Sequence, residues 1–180
     1  MKNTTAVYTC GILTLSDKGA KGEREDTSGP LLQHLVTEQG FNVTTYQIIP
    51  DQPLLIEEVL TNWVDEKKID LILTTGGTGV SPSDRTPEAT RRVIDMEIPG
   101  IAEAMRQASL AKTPNAIWSR GIAGIRGESL IINLPGSEKG AKENIQVILP
   151  ALAHGLYKIK GGTADCGEKK TERINSPQAR

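Results

Sequence analysis

Short apolar segments alternate with segments of helical periodicity along this chain of 180 residues. Four segments are apolar throughout or alternate between apolar and polar positions, which predicts strands at 6–16, 41–49, 69–75 and 129–136. Five others repeat apolar residues at helical spacing, which predicts helices at about 28–40, 53–67, 87–96, 99–110 and 137–159, the first of them beginning near Asp26 or Ser28. In the last of these helices, Pro150 predicts a kink or a break.

The remaining segments have weaker patterns. Residues 17–29 read as a polar loop, and residues 116–127 as one or two short strands around glycine turns. Residues 161–180 have almost no apolar content, which predicts a disordered tail after a folded domain at 1–160. The alternation of strands and helices predicts an α/β fold, a three-layer sandwich whose mostly parallel central sheet is covered by helices on both faces.

Polar or glycine-rich turns follow all four predicted strands. Because the carboxyl ends of parallel strands lie at one edge of a sheet, and ligands bind outside that edge, these turns are expected to meet at one site. The turns contain Ser16 and Asp17, Pro50 and Asp51, the segment 75–79, and the segment 135–137.

The segment 75–79 is a glycine loop, Thr75-Gly76-Gly77-Thr78-Gly79. Glycines let backbone N–H groups approach an anion closely, and Thr75 and Thr78 add hydroxyl donors. A P-loop would end in Gly-Lys-Ser/Thr, and a dinucleotide loop would have glycine where Pro82 stands, so neither pattern fits. For the glycines alone, a plain strand-to-helix turn remains an equally good interpretation.

Two acids, Asp51 and Asp84, follow predicted strands or the glycine loop. Mg²⁺ prefers one or two carboxylates together with substrate phosphates and water, so the pair is a candidate metal site. Each acid alone could be a turn residue. Ser137 could cap a helix, and the positive end of that helix could also bind an anion. Five basic residues are individually weak candidates for anion contacts: Lys18, Lys21, Arg85, Arg120 and Arg126.

Composition excludes several classes of function. The formal net charge of −1 gives no general attraction to nucleic acid or to an anionic membrane, and 3% aromatic residues make base-stacking surfaces improbable. No apolar run is long enough for a membrane span, and the N-terminus has no secretory apolar region. Two cysteines do not make a disulfide framework, so a cytoplasmic protein is expected.

Five segments together resemble the molybdenum-cofactor biosynthesis domain of the molybdopterin adenylyltransferases, to which the G domain of gephyrin belongs. They are, in order, TLSDKG, IIPDQ, LILTTGGTGVSPSDRTPEAT, SRGIAGIRGESLIINLPGS and ILPALAHGL. The resemblance covers about residues 6–160 and implies a domain that forms homotrimers. It also implies that MgATP and molybdopterin react to give adenylylated molybdopterin and pyrophosphate, and that the product passes to a molybdate-inserting enzyme.

The resemblance assigns roles to residues. Asp51 and Asp84 match the two aspartates of the family that bind Mg²⁺ and serve catalysis, and some inactive relatives lack the acid at the position of Asp51. The glycine loop matches the part that holds the nucleotide or the shared phosphates. The pterin side is assigned to Ser16, Asp17, Pro135, Gly136 and Ser137. A non-catalytic molybdopterin-binding or scaffold protein of the same fold is the alternative.

Overall fold

Six strands form one central sheet in residues 7–163, the part of the chain that the structure, a computed structural model, describes. In chain order they are β1 (Thr9–Leu15), β2 (Asn42–Ile49), β3 (Leu71–Thr75), β4 (Met96–Glu97), β5 (Ala123–Arg126) and β6 (Ser129–Leu134). Across the sheet the order is β2-β1-β3-β6-β5-β4. In this order, the four strands β2, β1, β3 and β6 are parallel to one another, whereas β5 and β4 are each antiparallel to their neighbours. The predicted mostly parallel sheet is confirmed.

Helices cover both faces of the sheet. They are α1 (Asp17–Ala20), α2 (Ser28–Glu38), α3 (Pro53–Asp65), α4 (Thr86–Val93), α5 (Pro99–Leu110) and α6 (Glu138–Ile159), with a 3₁₀ helix at Pro114–Trp118. Apolar residues of α2, α5 and α6 form one buried core with the sheet, and those of α3 and α4 form another on the opposite face. The predicted three-layer sandwich is therefore confirmed.

The strands serve both cores because successive side chains point to opposite faces. In β1, Ile12 contributes to the core under α2 and α6, while Leu13 contributes to the core under α3. Gly11 has a packing reason, since a Cβ there would lie 2.8 Å from the ring of Trp63. The absence of a side chain lets the fully buried indole of α3 lie directly on the sheet.

Two segments differ from their predicted structure near the site and at the sheet edge. The predicted loop 17–29 begins with the short helix α1, because the Ser16 hydroxyl caps it by accepting from the N–H of Gly19. The helix predicted to reach residue 96 ends at Val93, since Asp95 N donates to Ile125 O and draws the chain into the short strand β4.

Two further predictions in the second half of the chain need correction. Residues 116–118 lie in the 3₁₀ helix rather than in a strand, with Pro114 in its first turn and the Thr113 hydroxyl as its cap. The predicted break at Pro150 is wrong, because α6 is one helix through that residue. Pro150 is exposed, so the carbonyl that loses its helical partner can be hydrated.

The tail predicted at 161–180 lies outside the described residues beyond residue 163, and the domain limit at 160 stays a prediction. Among the described residues, no helix has both the length and the hydropathy required to cross a bilayer.

Candidate functional site

A cavity of about 390 Å³ lies at the carboxyl edge of β1, β2, β3 and β6. The turns that follow these four strands all reach it, as expected from their parallel arrangement. Of the residues singled out from the sequence, those lining it are Ser16, Asp51, Thr75, Gly76, Gly77, Asp84, Gly136 and Ser137. Segments that are far apart in the chain, such as those of Ser16 and Ser137, thus share one cavity.

A second cavity of about 360 Å³ adjoins the first at Gly136 and Ser137, which line both. Thr78, Gly79 and Pro135 line this second cavity and not the first. It is also lined by residues of the 3₁₀ helix, including Trp118, which is 61% exposed, and by polar side chains of α5 and α6. All the predicted site residues except Asp17, which lines neither cavity, are therefore divided between two adjoining cavities.

The glycine loop presents its N–H groups and has its carbonyl groups bound. Gly76 and Gly77 have positive φ values of 108° and 63°, and their carbonyls accept from the hydroxyl and the N–H of Thr86. None of the backbone hydrogen bonds formed within residues 7–163 uses the N–H of Gly77, Thr78 or Gly79. Consecutive free N–H groups of this kind form a concave anion-binding site.

One expected donor of the loop is already occupied. The hydroxyl of Thr75 is buried and donates to Pro135 O at 2.7 Å, so it joins β3 to the turn after β6. Gly136 fits against this junction, since a Cβ there would lie 3.1 Å from the Cα of Gly76. Thr75 thus holds the two turns together instead of offering its hydroxyl to the cavity.

The charges of Asp17 and Asp84 both act on the carboxylate of Asp51 beside the loop. Asp17 and Asp51 each accept a hydrogen bond from the other's backbone N–H, at 3.1 and 3.2 Å between the atoms. Burial raises the pKa of Asp51, and the negative charges of Asp17 and Asp84 raise it further. Among the described residues, no Lys or Arg forms an ion pair with any of the three.

Clustered carboxylates without a basic partner suit a divalent cation. Oδ1 of Asp51 lies 2.9 Å from where a Cβ of Gly77 would stand, and Oδ2 of Asp84 lies at the same distance from the Cβ position of Gly79. Both carboxylates therefore approach the loop backbone closely. Within residues 7–163, no three metal-ligating side chains are close enough to bind a metal ion alone. The pair fits Mg²⁺, whose other ligands come from phosphates and water.

Residues 24–28 contribute a wall of the first cavity that the sequence did not identify as functional. Asp26 accepts from the hydroxyls of Thr14 and Tyr46, at 2.5 and 2.7 Å, and from the backbone N–H groups of Ser28 and Gly29. Arg24 is the one basic side chain that lines this cavity among the described residues. The available signal was Asp26 at the start of a helix that follows the first strand.

Asp26→Asn is expected to lower the free energy of unfolding at pH 7 by about 1–2 kcal/mol. In asparagine an NH₂ group, which cannot accept hydrogen bonds, replaces one of the two carboxylate oxygens that together accept from four donors. Burial raises the pKa of Asp26, but these hydrogen bonds bring it below its ordinary value. The stabilisation is thus complete above about pH 4 and is lost as pH falls through the lowered pKa. Urea unfolding from pH 7 to about pH 3 should show the two proteins converging in acid; a constant difference would contradict this.

Comparison with known proteins matches this geometry to a family. Residues 11–154 match the family model described as "Probable molybdopterin binding domain". The chain belongs to this family. A molybdopterin adenylyltransferase of Helicobacter pylori (strain J99) is 41% identical over 170 residues, which are 93% of this chain and 97% of that protein.

Two other relatives show where this domain occurs. The molybdenum cofactor synthesis protein cinnamon of Drosophila melanogaster is 43% identical over 152 residues, 84% of this chain but 25% of that protein. The crystal structure of the molybdopterin biosynthesis enzyme MoaB from Thermus thermophilus is 51% identical, with a TM-score of 0.82. The superposition covers 86% of this chain and 98% of that one. The molybdopterin-binding domain thus occurs both as nearly a whole chain and as part of a longer protein.

Proposed function

We propose that this protein catalyses the Mg²⁺-dependent adenylylation of molybdopterin by ATP, with release of pyrophosphate. The observation that carries the proposal is the free N–H row of Gly77, Thr78 and Gly79 beside the carboxylates of Asp51 and Asp84. Such a site can hold the phosphates of two substrates and a cation between them. The adenylyltransferase of Helicobacter pylori, similar over nearly its whole length, supports the same conclusion.

The chemistry requires the terminal phosphate of molybdopterin to attack the α-phosphorus of ATP. A new P–O bond forms there, the bond from the α-phosphorus to the bridging oxygen breaks, and pyrophosphate leaves with that oxygen. The glycine loop binds the phosphates through its free N–H groups and orients the α-phosphorus toward the incoming oxygen. Positioning and electrostatic stabilisation of this kind provide most of the catalysis in phosphoryl and nucleotidyl transfer.

Asp51 and Asp84 are the residues that would hold Mg²⁺. When bound, the ion supplies neutralisation of phosphate charge and favours departure of pyrophosphate. Asp17 holds Asp51 in place through the reciprocal pair of backbone hydrogen bonds. The raised pKa of Asp51 indicates that its ionised form is poorly compensated by the protein, and a cation would supply that compensation.

The two cavities suggest separate places for the substrates. The first is lined by Ser16, Asp51, Asp84 and residues 75–77, and we assign it to the nucleotide and the shared phosphates, although the resemblance placed Ser16 on the pterin side. The second contains Pro135, Trp118 and Asn144, which offer apolar surface and an amide to a pterin ring. Gly136 and Ser137 line both cavities, so the phosphate that molybdopterin brings would lie beside them at the N-terminus of α6.

The purified protein is expected to release pyrophosphate when molybdopterin, ATP and Mg²⁺ are all present. A coupled pyrophosphate assay measures the rate, and leaving out molybdopterin or chelating Mg²⁺ should each abolish it. Release of orthophosphate without molybdopterin would instead indicate a general nucleotide hydrolase. Normal pterin binding without any pyrophosphate would favour the alternative, a non-catalytic molybdopterin-binding or scaffold protein.

The proposal also covers the localisation of the protein, its oligomeric state and the enzyme that receives its product. We infer a cytoplasmic homotrimer that passes its adenylylated product to a molybdate-inserting enzyme. Light scattering on the purified protein gives the number of chains directly, and a monomer or dimer would exclude the trimer.

A further inference from the structure

Arg120 binds the glycine loop at several points from outside the cavity. Its backbone N donates to Thr78 O at 2.9 Å, and its side-chain Nε donates to Gly79 O at 2.6 Å. One terminal nitrogen donates to Asp84 O at 2.7 Å, and the other forms an ion pair with Glu88. Every nitrogen of the guanidinium is thus engaged by the segment from the loop to the first turn of α4.

These contacts determine which side of the loop faces the cavities. Thr86 binds the carbonyls of Gly76 and Gly77, and Arg120 binds those of Thr78 and Gly79. With all four carbonyls held on the side of α4 and Arg120, the N–H groups of residues 77–79 remain available for an anion. Arg120 also fixes the backbone of Asp84, whose carboxylate accepts from Ser81 N at 2.8 Å.

Glu88 anchors the arginine. Burial raises the pKa of Glu88, but the hydrogen bond and the charge of Arg120 bring it below its ordinary value, so the carboxylate is ionised. Its other oxygen, Oε2, is buried and has no hydrogen-bond donor among the described residues. The pair therefore attaches the loop to α4 by a charge-assisted contact, which is stronger than a neutral one.

We propose that Arg120, held by Glu88, is a positioning residue for adenylyl transfer that keeps the glycine loop and Asp84 arranged for a magnesium–nucleotide complex. The inference rests on the proposed function. Because its side-chain nitrogens are all engaged by the protein, Arg120 acts through the loop and not by touching the phosphates. Lysine cannot replace it, since one ammonium group cannot reach acceptors that lie in three directions.

Arg126 provides a matched control. It also uses all its side-chain nitrogens, with two donating to Asp65 and one to Val93 O. It holds the C-terminal end of α4, whereas Arg120 holds the N-terminal end beside the site. Arg120→Lys and Arg126→Lys therefore each remove a guanidinium with three side-chain contacts, one of them to α4, and only the first acts on the loop.

The test compares these two variants with Glu88→Gln and the wild-type protein. Arg120→Lys is expected to raise by about tenfold the Mg²⁺ concentration that gives half-maximal binding of a nonhydrolysable ATP analogue, as when a group supporting a metal ligand is removed. Hydrogen exchange at the hydrogen-bonded amides of Gly76, Ser81, Asp84 and Thr86 should become faster, because the contacts that hold this segment are lost. Glu88→Gln should shift the same measurements in the same direction by less. Arg126→Lys should lower Tm without changing any of them.

The outcomes distinguish failure of the positioning role of Arg120 from failure of the proposed function. If Arg120→Lys and Glu88→Gln lower Tm but leave the Mg²⁺ dependence and loop exchange as in Arg126→Lys, the positioning role is overturned. Hydrogen exchange needs no ligand, so it reports on the loop independently of the reaction. A wild-type protein that binds no magnesium–nucleotide complex would overturn the proposed function itself, and this inference with it.

Discussion

Asp84→Asn and Asp51→Asn are each expected to lower the rate of pyrophosphate release by at least about a hundredfold, while molybdopterin still binds. Asparagine keeps the size of the side chain and an oxygen for the hydrogen bond from Ser81 N, but it removes the charge that would hold Mg²⁺. Steady-state rates give the loss of turnover, and equilibrium titration with molybdopterin gives binding. Unchanged rates in both variants would refute the assignment of the metal site.

Asp95→Asn is the matched control for Asp84→Asn. Asp95 accepts one backbone hydrogen bond, from Gly127 N at 2.8 Å, just as Asp84 does from Ser81 N. It lies at the opposite edge of the sheet, where β6 begins, and lines neither cavity of the site. Its replacement should leave pyrophosphate release unchanged, so a comparable loss there would indicate a general effect of removing a carboxylate.

Thermal stability shows whether Asp51→Asn loses activity because catalysis fails or because the protein unfolds. Burial and the charges of Asp17 and Asp84 raise the pKa of Asp51 in the folded protein, so its ionised form is a cost to folding above that pKa. Asp51→Asn should therefore raise Tm at about pH 7 in the absence of Mg²⁺. The difference should disappear as pH falls below the ordinary pKa of aspartate, where the wild-type side chain is protonated in both states.

The turns that surround the site could be predicted because each directly follows a strand. Asp51 comes two residues after β2, and Gly76 comes directly after β3, so an apolar run and the parallel rule were enough to place both at one edge. The helices under the sheet followed from apolar periodicity in the same way. The sequence therefore predicts well where a residue lies along a strand or helix, and at which edge of the sheet a strand ends.

Contacts to backbone groups distant in sequence could not be predicted. Arg120 was one of five weak basic candidates, because two of its three side-chain acceptors are main-chain carbonyls, one of them 41 residues away, and a sequence does not distinguish one carbonyl from another. Thr75 was expected to offer its hydroxyl to a ligand, but its actual acceptor is the carbonyl of Pro135 across the sheet. Asp26 was expected only to begin a helix. Its contacts with Thr14 and Tyr46 could not be predicted, because those residues lie on two different strands.

Strand pairing at the edge of the sheet also overrides the helical pattern at the end of α4. Thr86 and Pro87 open α4 as expected, and the helical pattern continues toward residue 96. Asp95 and Ile98, however, donate to carbonyls of β5, and Met96 and Glu97 pair with that strand. The strand β5 was itself only weakly indicated, so nothing in the sequence predicted a partner that could end the helix early.

Gly77→Ala is expected to abolish most pyrophosphate release and to destabilise the fold by about 2 kcal/mol. Gly77 has φ of +63°, a conformation that L residues adopt at a cost. A methyl group there would also meet the hydroxyl of Thr86, and would lie 2.9 Å from Oδ1 of Asp51. The substitution thus displaces both the α4 contact that holds the loop carbonyls and one of the two carboxylates assigned to Mg²⁺. Thermal unfolding and the pyrophosphate assay measure the two effects.

Gly127→Ala distinguishes backbone strain from this crowding. Gly127 has φ of +54°, close to that of Gly77, but a Cβ there meets nothing within 4 Å. Alanine at 127 should therefore cost about 1 kcal/mol of stability and leave the reaction rate unchanged. If Gly77→Ala behaves in the same way, with full activity, then Asp51 does not need its place against the glycine loop. The free N–H row and the carboxylates would then be neighbours without a shared role, because a methyl group between them would have left the chemistry intact.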